Sequence, residues 1–109
     1  MDLATEWTRI TGYPMVFGVF AARNDTDISH LKLAHRDMLT QLDRFDTDIV
    51  WRASVIENAS KDTGISETRL DNYYSTEVWN RLDSDAEAGL DFYLEKVCNV
   101  ESAEWAKLD

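Results

Sequence analysis

Apolar residues in this chain recur at helical spacing in five stretches, with one continuous apolar run between the first two. Leu3, Trp7 and Ile10, four and three apart, predict a short helix within residues 1–12, with Asp2 as N-cap and Gly12 just past its end. Tyr13-Pro14 stops it, because proline pushes the preceding residue out of the α region. The next run, Met15 to Ala22, is apolar on both faces and rich in β-branched and aromatic residues, and it predicts a strand over 15–22 covered on both sides. Gly18 inside it predicts a bend or a close backbone approach.

Asn24 to Asp27 reads as a turn, with Thr26 or Asp27 capping the second helix. Ile28, Leu31, Ala34, Met38, Leu42 and Phe45 then step by three and four along one helix face. A break at Asp46-Thr47 leads into a helix from about Asp48 to Thr63, with Ile49, Ala53, Ile56 and Ala59 expected inside and Gly64 as its stop. Ser66 caps a short helix bearing Leu70, Tyr73 and Tyr74, with Ile65 as staple residue. Val78 to Leu82 reads equally as an extended connector or a helix end. Ser84 and Glu87 form a capping box that opens a helix with Ala86, Leu90, Tyr93, Leu94 and Val97 on one face. Val100, Trp105 and Leu108 suggest a last amphipathic turn.

The fold class expected from this pattern is mainly α with one buried β-strand, organised as a single module over 1–109: a helix, a strand, and a helical region from 27 onward. A lone strand leaves its backbone N–H and C=O groups unpaired, and burying them without partners is costly. Met15, Val16, Phe17, Gly18, Val19 and Phe20 are therefore the candidate association strand. A homodimer or a protein partner would pair with it. The rival is internal pairing with Val78–Leu82, a short segment that carries Asn80 and Arg81.

With 21 acidic against 11 basic residues the net charge is −10, which argues against direct binding to nucleic acid or an anionic membrane. It permits a basic protein partner. No long apolar run and no signal-peptide pattern occur, so a cytoplasmic location is expected. Cys98 is the one cysteine and reads as buried filler. His30 and His35 diverge on a helix and read as surface residues. Asp43, Asp46 and Asp48 resemble part of a calcium loop but lack its glycine and closing glutamate. The four glycines are scattered, so no phosphate-cradling loop is present. No catalytic, cofactor-binding or metal-ligating residue is predicted.

Glu6-Trp7, then Thr11-Gly12-Tyr13-Pro14-Met15-Val16-Phe17-Gly18-Val19-Phe20-Ala21-Ala22-Arg23, resembles a segment of the chorismate dehydratase family of the futalosine route to menaquinone. Thr63-Gly64-Ile65-Ser66, Leu70-Asp71-Asn72-Tyr73-Tyr74 and the stretch from Asp83 to Val97 are similar to later parts of the same family, in the same order. Phe20 stands where that family usually has tryptophan. The resemblance implies the C-terminal third of a periplasmic-binding-protein-like fold, two α/β lobes with ligand in the cleft. The family's main ligand-contacting strands and loops fall outside the matched stretch, so no catalytic residue carries over. The expected function is a non-catalytic scaffold or split-subunit segment, with chorismate dehydratase-like lyase activity only as part of a larger assembly. The alternative is a stand-alone acidic interaction module, such as an inhibitor of a basic or nucleic-acid-binding partner. A transport solute-binding protein is disfavoured by the lack of a signal-peptide pattern.

Overall fold

A computed structural model describes residues 2–101 and 104–108. Among them five α-helices follow one another: α1 (Leu3–Thr11), α2 (Ile28–Thr47), α3 (Ile49–Thr63), α4 (Glu67–Asn72) and α5 (Ser84–Lys96). A π-helical turn, Tyr73–Glu77, continues directly from α4. Two compact units result, one from Met1–Asn24 with Arg81–Lys107 and the other from Asp25–Asn80 with Leu108–Asp109. No helix among the described residues is long and apolar enough to cross a membrane.

The expected strand is absent, and with it the α/β architecture. No strand occurs among the described residues, and 14–23 has no regular secondary structure. The physical reason is the one that made a lone strand suspect: a ladder needs a second chain segment. Pro14 has no N–H to offer. The rival partner, Val78–Leu82, is irregular as well and forms no ladder.

Helix ends follow local chemistry closely. Asp2 accepts from Ala4 N–H, Asp27 from Ser29 N–H and Ser66 from Arg69 N–H, as their positions predict. Gly12 (φ 78°) and Gly64 (φ 73°) end α1 and α3 in the left-handed conformation that a side chain would resist. The cap of α5 is Asp83, one residue before the expected Ser84, because its carboxylate takes the Ala86 N–H at 2.8 Å. The break between α2 and α3 is the single residue Asp48. Its N–H still donates to Arg44 O (2.9 Å), while its carboxylate accepts from Trp51 N–H (2.9 Å).

Two of these caps give a pH prediction. The Thr5 hydroxyl and then the Ala4 N–H hold the Asp2 carboxyl below its usual range, and the Ser29 hydroxyl and N–H do the same for Asp27. A carboxyl whose folded value is lowered stabilises the helix above its unfolded value, and that contribution is lost as pH falls through the lowered one. The ends of α1 and α2 should therefore fray below about pH 3.8 and hold above it. The Ala4 and Ser29 amide shifts, followed by NMR through an acid titration, report this directly. Shifts that begin to move near neutrality would contradict it.

In the second unit, α2 packs on α3 and α3 on α4. The buried hydrophobic residues there are Ile56 and Leu70. The inner face of α3 differs from the periodicity reading. Arg52, Val55, Ile56 and Ala59 turn inward, whereas Ala53 is exposed and Ile49 is 84% exposed. Arg52 explains the rotation. Its guanidinium lies 4.4 Å over the Phe45 ring and donates to Asp71 Oδ1 (3.0 Å) and Ser75 Oγ (2.9 Å), tying α2, α3 and the π-turn together. A planar, multidentate cation with an aliphatic stem suits such a half-buried bridge. Arg69 Nη1 reaches Glu77 Oε2 (2.7 Å) across the same turn.

In the first unit, aromatic rings join the two helices. Trp7 of α1 meets Phe92 (6.1 Å) and Tyr93 (5.8 Å) of α5, both edge to face. The expected last amphipathic turn is not formed by 104–108, and Ser102, Ala103 and Asp109 lie outside the described residues. Trp105 instead donates through Nε1 to Asp91 Oδ1 at 3.2 Å.

Candidate association surface

The chain leaves α1 through a turn fixed at several points. The Thr11 hydroxyl donates to Trp7 O (2.8 Å) and accepts from Tyr13 N–H (3.1 Å), while Gly12 N–H donates to Thr8 O (2.8 Å). The Tyr13 ring lies 5.3 Å from Phe92, tilted by 37°. Past Pro14, Met15 and Val16 are half-buried. Beyond them the apolar side chains face solvent: Phe17 is 75%, Val19 51% and Phe20 89% exposed. The expected burial of this run is thus reversed within the chain. No residue from Thr11 to Ala22 is charged, an uncharged stretch in a chain of net charge −10.

Exposed rings of this size are expensive. Fully burying a Phe side chain is worth about 1.5–3 kcal/mol, so Phe17 and Phe20 leave most of that gain unrealised. Apolar atoms on a surface are common, but here three large exposed side chains, Phe17, Val19 and Phe20, follow closely in sequence with no charge between them.

The other residues singled out in the sequence are not drawn into a site. His30 and His35 border a shallow depression of about 860 Å³ along α2, with Lys32, Arg36 and Leu33 also on its wall. Among the described residues no cluster of three His, Cys, Asp or Glu side chains is placed to hold a metal. Asp48 is spent on capping α3, and its carboxylate and the Trp51 ring flank the Arg44 guanidinium. Cys98 is exposed rather than buried, because it lies beyond the end of α5. The Tyr93 phenol is held above its usual range, first by hydrogen bonding with the Cys98 side chain and then by that group's charge.

Sequence reasoning missed Gly89. This glycine is buried in the middle of α5, and a Cβ there would lie 2.6 Å from Pro14 O and 3.2 Å from Tyr13 Cβ. A glycine within a helix costs about 1 kcal/mol relative to alanine, so only a close approach explains it. The signal was present as an isolated glycine in a helical pattern.

A family model described as menaquinone biosynthesis matches residues 1–99. The chain belongs to the menaquinone biosynthesis family. That membership bears out the chorismate dehydratase resemblance read from Glu6-Trp7, the Thr11–Arg23 segment and the later motifs. The family match spans both units, so membership does not rest on the apolar segment alone. Comparison with curated proteins and with solved structures finds no match.

Proposed function

We propose that this chain is a non-catalytic scaffold segment of a chorismate dehydratase-like protein of menaquinone biosynthesis, and that it assembles through Met15–Phe20. The observation that carries the reading is the exposure of Phe17, Val19 and Phe20 in a stretch without charge. The occupant of that surface is a second copy of the chain. Two like-charged molecules of net charge −10 repel one another, and Thr11–Ala22 adds no charge of its own to that repulsion. A two-fold contact sets the same patch against itself, and an apolar, uncharged patch is self-complementary in that sense.

Salt separates this occupant from a basic partner. Screening the net charge should strengthen an apolar self-association, whereas an acidic–basic complex weakens as salt rises. Sedimentation equilibrium of the purified chain at low and at high salt measures the sign. A monomer at every concentration and ionic strength would refute self-assembly.

The scaffold role makes its own prediction. The purified chain consumes no chorismate, since the family resemblance places the ligand-contacting loops outside the matched stretch. A coupled or direct absorbance assay at high protein concentration tests this, and turnover above the buffer blank overturns the non-catalytic reading.

A further inference from the structure

We infer that Gly89 is a positioning residue for the association segment, the bare Cα against which the Tyr13–Pro14 turn seats so that Met15–Phe20 continues from the turn in one direction. The inference rests on the association reading above and names the residue on which that surface depends.

Gly89 is buried within α5, and its role is not conformational freedom, since it sits in regular helix. What distinguishes it is the neighbour a side chain would meet. The atom 2.6 Å from where a Cβ would stand is a backbone oxygen, Pro14 O, with Pro14 C at 3.7 Å. A flexible side-chain tip would rotate away from such a clash, whereas a carbonyl moves only if the chain carrying it moves. The same turn is held by the Thr11 hydroxyl at Tyr13 N–H and by the Tyr13 ring on Phe92. These contacts hold the turn against α5, and Gly89 is where its backbone comes closest to that helix. Displacing Pro14 redirects Met15 and Val16, the half-buried residues next in the chain, and so re-aims the exposed Phe17, Val19 and Phe20. Gly18 offers an internal comparison, because a Cβ there meets nothing within 4 Å.

The test compares Gly89→Ala and Tyr13→Ala with the wild-type chain. Helix content comes from circular dichroism, the Tyr13–Phe92 contact from NMR cross-relaxation, and self-association from sedimentation equilibrium. Gly89→Ala should retain its helices, lose the Tyr13–Phe92 contact and associate at least about tenfold more weakly, a shift well resolved by sedimentation. Tyr13→Ala releases the same turn without adding a methyl group to α5, and should weaken association in the same direction. It therefore serves if Gly89→Ala does not fold. Wild-type affinity in either Gly89→Ala or Tyr13→Ala overturns the positioning role while leaving the association reading intact. A wild-type chain that stays monomeric brings down the association reading and this inference with it.

Discussion

Leu70→Ala lowers the stability of the second unit by about 2–5 kcal/mol, the cost of a buried large-to-small change with partial collapse of the cavity. Leu70 is 7% exposed and Ile56 6%, and they are the buried hydrophobic residues among the described residues. A domain typically holds only about 5–15 kcal/mol in reserve, so this one truncation removes a large share of it. Ile49 supplies the contrast. It is also an aliphatic residue of the helical pattern, but at 84% exposure its replacement by alanine should shift stability by no more than about 0.5 kcal/mol. Leu42, half-buried on α2, should fall between them. Urea unfolding followed by circular dichroism gives the three values. Equal losses at Leu70 and Ile49 would mean that the core is not where α3 meets α4.

Val19→Asp abolishes self-association and leaves the fold of the first unit unchanged. Val19 is 51% exposed, so aspartate there can reach water in the free chain. In the assembled state it places a charge on each side of a two-fold contact inside a stretch that is otherwise uncharged. Both charges must then be desolvated without a partner of opposite sign, a cost of several kcal/mol per ion, larger than a small apolar interface supplies. Light scattering over a concentration series, paired with a thermal melt, separates the two effects. An associating Val19→Asp chain would place the contact elsewhere. A variant that has lost its melting transition would show that the segment is part of the unit's own packing.

The helices were legible because their causes are local. Asp2, Asp27 and Ser66 cap their own following turns, Gly12 and Gly64 adopt the conformation that ends a helix, and steps of three and four fix the length of α2. The family motifs were equally legible, since they are strings of residues rather than arrangements in space. Met15 to Ala22 is where local reading failed. Its composition states only that it is apolar and suited to extended backbone, and whether it becomes a strand depends on a second segment at hydrogen-bonding distance. The described chain provides none, so the run stays irregular and its rings stay exposed.

Tertiary structure also decided which face of α3 turns inward. Periodicity placed Ile49 and Ala53 inside, but Arg52 bridges Phe45, Asp71 and Ser75, residues 7, 19 and 23 positions away, and turns the helix toward them. Gly89 belongs to the same class. Its sequence neighbours specify a helix, in which glycine is a poor choice, and only the approach of Pro14 from far along the chain gives it a purpose. The sequence by itself determined the helices and most of their caps, which are set within a few residues, and the family, which is carried by motifs in order along the chain. Register, facing and the fate of the apolar segment depend on contacts between distant residues, and those exist only once the chain has folded.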